Sequence, residues 1–198
     1  MAVKRINPAS IKKYGDTATE QFKSIHTNLE SLVTKCATVH YRGTNATEFK
    51  TKASDLAAQY ATDTQKNMNA IAEAVQMLTT ALSKSMGGVS VTVSLPRASA
   101  IQRPSITREA QVEELDTTAL ETLIPDVQSL FSKIEGTFDA HLRAFSGTDW
   151  QSDTKNKSEA EIRKFTTDAK QVANESQQAI VKYVRSQIDA VKAADASA

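Results

Sequence analysis

Apolar residues recur along most of the chain at alternating spacings of three and four, which is the period of an amphipathic α-helix. Positions 22, 25, 29, 32, 36 and 39 form one such stripe, and comparable stripes follow in three later stretches. The pattern predicts a first helix from about 8 to 40, a second from 45 to the glycines at 87–88, and a third starting near 116. A fourth helix is expected after a polar loop at 151–158.

Residues at the ends of these stretches match known helix signals. Asn7, followed by a proline, is a typical start because its side chain caps free N–H groups and proline suits the first turn. Asn45 followed by Glu48 resembles a capping box at the start of the second helix. The glycine pair at 87–88 predicts the end of that helix, and Asp116 is the expected cap of the third.

Two turns with an aromatic residue divide the pattern. Tyr41 to Gly43 forms the first turn, and Trp150 to Ser152 forms the second. The shift that carries Tyr41 onto Trp150 aligns both turns and, in the same gapless register, the apolar seams on either side. One offset rarely matches two seams and the turn between them by chance, so we interpret the chain as a tandem duplication of a helix-turn-helix unit. The seam pairs are Ile11/Leu120, Tyr14/Leu123, Ala18/Val127, Phe22/Phe131, Ile25/Ile134, Leu29/Phe138, Val33/Leu142, Cys36/Phe145, Ala53/Ile162, Leu56/Phe165, Ile71/Ile180, Val75/Val184 and Leu82/Val191.

The duplication predicts an all-α protein in which two antiparallel helical hairpins form an elongated four-helix bundle. The expected parts are a first hairpin at 1–88, an extended linker at 89–115, and a second hairpin at 116–198, the two hairpins packing as one bundle. Pro125 lies inside the third helix and is expected to bend it or to divide it in two, because proline lacks the backbone N–H.

The start of the linker has a different period. At 89–95, valines and a leucine alternate with small polar residues, which is typical of a strand. One interpretation is an extended connector whose apolar side rests on the helices. The other is edge pairing with a second copy or a partner, because a lone strand leaves its backbone groups unpaired.

Composition and charge narrow the classes of function. Among 198 residues the formal net charge is +1, so we expect no general electrostatic attraction to nucleic acid or acidic membrane. A single cysteine excludes an internal disulfide. The first residues are not those of a cleaved secretion signal, and no stretch approaches the roughly 18 apolar residues of a membrane span. Export, if it occurs, is expected by a leaderless route.

Two long helices joined at an aromatic-x-Gly turn resemble the WXG-motif family, the small early-secreted-antigen-like proteins that type VII secretion systems export. Family members have about half this length and pair as antiparallel four-helix bundles, so the resemblance implies a single-chain version of such a pair. The first turn has Tyr41 in place of the family's tryptophan and keeps Gly43. The second turn keeps Trp150 and has Ser152 where the family has glycine.

The resemblance also implies an export signal, which in the family is a tyrosine followed four residues later by an acidic residue after a helical hairpin. In this chain Tyr183 is followed four residues later by Gln187, and the nearest acid is Asp189. We therefore predict a degenerate export-signal region at these three residues. The departure leaves two expectations, an exported substrate or a helper that stays in the cytoplasm.

Candidate catalytic and metal-binding residues are few. His141 aligns with Leu32 of the other repeat, so it is expected in the seam as a core or interface residue. Cys36 and His40 are four residues apart, a spacing that is able to share a metal ion, but the sequence offers no further ligands. The sequence contains no catalytic triad motif, phosphate-binding glycine loop or paired-carboxylate motif. We predict no enzyme activity, no cofactor and no metal.

The two turn aromatics have two interpretations. Tyr41 and Trp150 are either hydrophobic plugs at the ends of hairpins or exposed aromatics that a partner protein recognises, since aromatics are enriched at interface hot spots. The predicted function is a non-enzymatic interaction protein, either a type VII secretion substrate or a secretion chaperone or adaptor. The alternative is a structural helical-bundle adaptor or assembly component unrelated to secretion.

A monomer is the predicted oligomeric state. The linker at 89–115 can extend to about 90 Å at 3.3–3.6 Å per residue, which is longer than either predicted helix. Tethering gives the second hairpin an effective concentration on the order of millimolar, so pairing within one chain is expected to outcompete pairing between chains. Partners are expected to be proteins of the secretion apparatus or a cognate substrate, and not nucleic acid.

Overall fold

A computed structural model gives the structure of the chain over residues 5–43, 45–106 and 116–197. Most of these residues are helical, and two short strands pair with one another. The elements are β1 (Arg5–Ile6), α1 (Pro8–Thr38), α2 (Ala46–Ser85), α3 (Thr118–Ser146), β2 (Trp150–Gln151) and α4 (Asp153–Asp195). The prediction of an all-α protein with four helices is confirmed.

Several predicted helix ends have the expected hydrogen bonds. The Asn7 side chain accepts from the N–H of Ala9 at 3.1 Å and so caps α1. Asp116 accepts from the N–H of Thr118 at 2.8 Å, and hydrogen bonding to Thr118 lowers the pKa of its carboxyl. After α2, Gly88 adopts a φ of 90° and its N–H reaches the carbonyl of Ser83 at 3.1 Å. A left-handed glycine of this kind closes a helix by satisfying its free carbonyls.

The loop expected in the second repeat is corrected, and of the two outcomes expected at Pro125, division of α3 is excluded. The polar loop predicted at 151–158 is wrong, because α4 already begins at Asp153. Its cap is Ser152, whose hydroxyl accepts from the N–H of Lys155 at 3.0 Å, so the polar residues that follow occupy the first turns of a helix. Pro125 does not divide α3, which is one element on both sides of it. Proline removes one hydrogen bond, and the neighbouring seam residues Leu123 and Val127 stay buried.

The chain divides into two compact units, each built from a segment of all four helices. Unit 1 comprises the described parts of Met1–His26, Thr64–Ser99 and Ile134–Gln171, and unit 2 comprises those of Thr27–Asp63, Ala100–Lys133 and Val172–Ala198. The two sets of segments are equivalent under the repeat. The shift that carries Tyr41 onto Trp150 also carries the boundaries at His26 and Asp63 close to those at Lys133 and Gln171.

Unit 1 packs the start of α1 against the end of α3 in antiparallel directions. The Tyr14 ring lies edge-on to Phe145 with centroids 5.4 Å apart, and further along α1 the Phe22 ring lies 5.4 Å from His141. The ammonium of Lys170 on α4 donates to Asp139 on α3 at 2.8 Å. These contacts are compatible with a four-helix bundle.

Unit 2 has contacts of the same kind. The Tyr60 ring on α2 lies 4.5 Å from the Phe131 ring on α3. At the surface, Lys35 on α1 donates to Asp126 on α3 at 2.6 Å, and Lys192 on α4 pairs with Glu121 on α3 at 2.9 Å. Hydrogen bonding to Lys192 lowers the pKa of the Glu121 carboxyl. Three helices are therefore joined to α3 in this unit.

The strand-like stretch at 89–95, which belongs to unit 1, contains neither helix nor strand. Val91, Val93 and Leu95 are nevertheless buried, whereas Val89 is 45% exposed. Three of the four alternating apolar residues thus rest against the helices, as the connector interpretation expects. Part of the predicted linker, 107–115, lies outside the described residues, so the extended form of the whole linker stays a prediction.

Burial of the seam residues follows the repeat. Every seam pair named above is buried in both repeats except at two registers. Leu56 and its equivalent Phe165 are both half-buried, and Leu142 is half-buried where Val33 is buried. The two repeats thus agree even at Leu56 and Phe165, where the seam is not fully buried. Two repeats with the same backbone arrangement are expected to agree in this way.

Candidate functional site

The first aromatic turn connects α1 to α2 within unit 2. Gly43 adopts a φ of 131°, a conformation that side-chain-bearing residues rarely adopt, and its carbonyl accepts from the N–H of Ala46 at 3.0 Å. Tyr41 is 4% exposed, and its ring lies edge-on to Phe49 with centroids 5.8 Å apart. The glycine therefore allows the turn that places the tyrosine ring on the start of α2.

The predicted export-signal region on α4 joins this turn. The Tyr183 ring stacks on Phe49 with centroids 5.3 Å apart and planes 13° apart. Gln187 donates from its side-chain amide to the hydroxyl of Tyr41 at 2.8 Å. The structure thus brings together four side chains from the turn, α2 and α4, which we call the turn cluster: Tyr41, Phe49, Tyr183 and Gln187.

One side of the turn cluster reaches the surface of unit 2. Tyr183 is half-buried, and the ammonium of Lys52 lies 4.8 Å from the centroid of its ring. Partial burial, followed by the charge of Glu48 and the neighbouring Tyr41, raises the pKa of Tyr183. The hydroxyl therefore stays protonated at neutral pH, and the Lys52 cation is attracted to the ring face. Asp189, the acid nearest to the predicted signal, is exposed and interacts electrostatically with Lys192.

The second aromatic turn lies in unit 1 and is bound to the start of the chain. Ile6 and Trp150 are paired in the antiparallel β1–β2 ladder. The N–H of Asn7 donates to the Asp149 carbonyl at 2.8 Å, and the Asp149 N–H donates to the Ser10 hydroxyl at 2.9 Å. Trp150 is only 3% exposed. Its buried indole N–H makes no hydrogen bond within the part of the chain that the structure describes.

A lysine that the sequence analysis missed completes this turn. Lys155 is buried, and its ammonium donates to the carbonyls of Ser146 at 2.8 Å and Thr148 at 3.1 Å. The Ser146 carbonyl ends α3 and the Thr148 carbonyl lies two residues beyond it, and cations are favourable at the C-terminal end of a helix. In the sequence, a basic residue just after a hairpin turn only weakly predicts such hydrogen bonds, because they form only when α4 packs beside the end of α3.

The interpretation of the turn residues as exposed aromatics is wrong, because Tyr41 and Trp150 are both buried. Each ring packs within its own unit, Tyr41 in the turn cluster and Trp150 beside the paired strands. The alternative of hydrophobic plugs fits both. The two turns differ in detail, since Gly43 supplies a positive φ whereas Ser152 at the equivalent position supplies a helix cap.

His141 is buried in the seam of unit 1, as predicted. Its Nε2 lies 2.9 Å from the hydroxyl of Tyr14, and its Nδ1 has no partner among the described residues. Burial lowers the pKa of His141 to about 4 and raises that of the Tyr14 hydroxyl. The pair is therefore neutral at physiological pH.

Cys36 and His40, whose spacing suits a shared metal ion, lie in different surroundings. Cys36 is fully buried, and burial raises the pKa of its thiol to about 12. α1 ends at Thr38, so His40 lies beyond the helix, where it is exposed. Within residues 5–43, 45–106 and 116–197, no group of three or more histidine, cysteine, aspartate or glutamate side chains is arranged to hold a metal ion.

Comparison of the chain with protein-family models, with curated proteins and with solved structures found no match. None of the described helices is both long enough and apolar enough to cross a membrane.

Proposed function

We propose that this chain is a non-enzymatic interaction protein of the type VII secretion kind, acting as an exported substrate or as a secretion chaperone or adaptor. The proposal rests on the resemblance of its two aromatic turns to the WXG motif. In this proposal each repeat corresponds to one of the two proteins of a WXG pair. A substrate would leave the cell without a cleaved leader, and a helper would remain in the cytoplasm.

The turn cluster is the observation that supports the proposal most. Tyr41 from the WXG-like turn and Tyr183 from the predicted signal region both pack on one ring, that of Phe49. The hydrogen bond from Gln187 to Tyr41 adds a second connection between the turn and α4. The family resemblance implies a signal tyrosine just after a helical hairpin, and in this chain Tyr183 lies within α4.

The chemistry of the cluster suits recognition by a protein. Tyr183 combines a half-exposed aromatic ring with a polar hydroxyl, a combination common among interface hot spots. Stacking on Phe49 restricts the ring, so little side-chain entropy remains to be lost on binding. Gln187 stands at the position where the family has an acid, and its side-chain amide is engaged in the hydrogen bond to Tyr41. The exposed Asp189 is the negative charge available to a partner.

An export assay tests the proposal. The chain is expressed in a host with an active type VII apparatus and in the same host lacking the secretion ATPase, and the culture medium is assayed for the protein. A substrate appears in the medium only in the first host. Tyr183→Ala is expected to abolish export, whereas Lys182→Ala, at the adjacent exposed position, leaves it unchanged.

A helper gives a different result in the same experiment. The chain then stays in the cell, and its deletion stops secretion of another protein of the apparatus. Equal amounts in the medium of both hosts, or no effect of the chain on any type VII export, would overturn the proposal. That outcome would favour the structural-adaptor alternative.

A further inference from the structure

The stretch at 89–95 pairs with no strand among the described residues and lies across unit 1 with one face buried; because its side chains alternate as in a strand, we call it the connector strand. Its inward side chains are Val91, Val93 and Leu95, and its outward residues Ser90, Thr92 and Ser94 are exposed. A Cβ added at Gly15 of α1 would lie 3.1 Å from the methyl groups of Val93. The absence of a side chain at Gly15 therefore lets the connector strand approach α1 closely.

One backbone edge of the connector strand is anchored to α2. The carbonyl of Val89 accepts from the Ser83 hydroxyl at 2.7 Å, and the N–H of Val93 donates to the Thr79 hydroxyl at 2.9 Å. Successive residues of an extended chain direct their backbone groups to opposite edges. Because two odd-numbered residues bond to α2, the even-numbered residues direct theirs to the other edge.

Among the described residues, nothing pairs with that other edge. Ser90, Thr92 and Ser94 form no hydrogen bond, through backbone or side chain, to any residue that the structure describes. The edge borders a groove of about 450 Å³ whose opposite wall is α1. The α1 side chains on this wall are Lys12, Asp16 and Thr19, with Gly15 between them.

We propose that this groove binds an extended peptide segment of a partner protein, which adds as an antiparallel strand to the open edge of the connector strand. An unpaired strand edge is a template for β-augmentation, in which main-chain hydrogen bonds supply affinity. This inference is independent of type VII secretion, because it concerns another surface and other residues. A second folded copy does not suit the groove, because its own α1 would lie beside its connector strand and occupy the same space.

The charges on α1 specify the chemistry of the peptide. Lys12 and Asp16 are one helical turn apart, about 6 Å, which is close to the roughly 6.4–6.8 Å between residues i and i+2 of a strand. The connector strand runs antiparallel to α2, since Val89 bonds near residue 83 and Val93 near residue 79. It runs in the direction of α1, since Val93 lies beside Gly15 and the hydroxyl of Ser99 lies 3.4 Å from Nε2 of His26. An antiparallel peptide therefore meets Asp16 before Lys12. The preferred segment has a basic residue followed two positions later by an acidic one.

The charge preference is tested with two labelled peptides and the full-length chain. One has the order threonine, valine, lysine, valine, glutamate, valine, threonine, and the other has lysine and glutamate exchanged. By fluorescence anisotropy at low salt, the lysine-first peptide is expected to bind about tenfold more tightly. The double variant Lys12→Glu with Asp16→Lys is expected to reverse this preference. Absence of binding, equal binding of both peptides, or an unchanged preference in the variant would overturn the proposal.

The backbone contact is tested at Thr92. Thr92→Pro removes one N–H on the open edge and is expected to reduce peptide binding at least tenfold, whereas Thr92→Ala keeps the N–H and retains binding. Should Thr92→Pro unfold, amide hydrogen exchange on the unaltered chain decides. Saturating peptide is expected to slow exchange at Thr92 at least tenfold and to leave Val93 unchanged. Unchanged exchange at Thr92, or a chain dimer that Thr92→Pro dissociates, contradicts the proposal.

Discussion

Units 1 and 2 are built from equivalent parts of the two repeats, yet their cores differ in polarity. Several residues of unit 1 have a buried polar atom with no hydrogen-bond partner among the described residues, and these include Gln21, Thr64, His141 and Thr166. The shift between the repeats places these four, in the same order, on four buried apolar residues of unit 2: Leu130, Ala173, Leu32 and Ala57.

This difference shows that the repeat specifies the positions of the seam more strictly than the polarity of each side chain. A buried polar atom without a partner costs about 1–3 kcal/mol, so unit 1 is expected to be the less stable part of the molecule. The same differences give unit 1 a buried titratable group, His141, where unit 2 has Leu32. We therefore expect unit 1 to open first, and under acid conditions in particular.

The largest expected effect comes from truncating an aromatic side chain in the apolar core. Phe131→Ala in unit 2 removes a fully buried ring that packs on Tyr60, and it is expected to cost about 3–5 kcal/mol of unfolding free energy. Urea unfolding measures the change, with Gln128→Ala at an exposed α3 position as the control. A cost below about 1 kcal/mol would show that the seam assignment is wrong.

Acid is expected to destabilise unit 1 through His141. Its pKa is about 4 in the folded chain against an ordinary 6.5, so the unfolded state binds more protons between these values. Stability is thus retained above pH 6.5 and falls as the pH drops to about 4, by about 3 kcal/mol in all, given about 1.4 kcal/mol per pKa unit.

The matched variant for this prediction is His141→Leu, which copies Leu32 of the other repeat. The difference in urea midpoint between the two chains is expected to change with pH only between about 6.5 and 4, because their carboxylates titrate alike. Native-state hydrogen exchange should place the acid-induced opening in unit 1. A difference that is constant with pH would contradict the buried neutral histidine.

The two turns are expected to respond differently to an exchange of their equivalent residues. Gly43→Ser forces a side-chain-bearing residue into a φ of 131° and is expected to cost about 1–3 kcal/mol. Ser152→Gly removes only a cap hydroxyl and is expected to cost a few tenths of a kcal/mol. Thermal unfolding of both variants measures the contrast, and equal losses would mean that the turns have the same backbone requirement.

Exchanging Thr166 and Ala57 tests the polarity of the cores directly. Ala57→Thr introduces a hydroxyl into the apolar core of unit 2 and is expected to cost about 1–3 kcal/mol. Thr166→Ala removes an unpartnered hydroxyl from unit 1 and is expected to be neutral or stabilising. A clear loss of stability in Thr166→Ala would show that its hydroxyl has a partner, such as ordered water.

Protein concentration is expected to have no effect on the molecular mass in solution, which makes this the smallest of the expected effects. Light scattering is expected to give a mass near 21.5 kDa at all concentrations, with both units completed by one chain. A concentration-independent dimer near twice that mass would contradict this. It would indicate exchange of helical segments between two chains.

The sequence by itself determined the helical elements of this protein and their duplication. These elements depend on local signals, namely the helix period, caps such as Asn7 and the glycine pair after α2. Because each signal acts over a few residues, its effect can be predicted without knowledge of the fold. The offset between the two repeats is also a property of the chain alone. The start of α4 was missed because Ser152 and the polar residues after it suit a loop as well as a capped, exposed first turn.

Only the tertiary structure decided which side chains meet. Gln187 bonds to Tyr41 across 146 residues, and Tyr14 bonds to His141 across 127. Likewise, Trp150 is buried beside β1, which lies far from it in the sequence. Such contacts depend on how whole helices pack against one another, and a local sequence pattern contains no information about that packing. The burial of both turn aromatics therefore required the fold, although the positions of the turns did not.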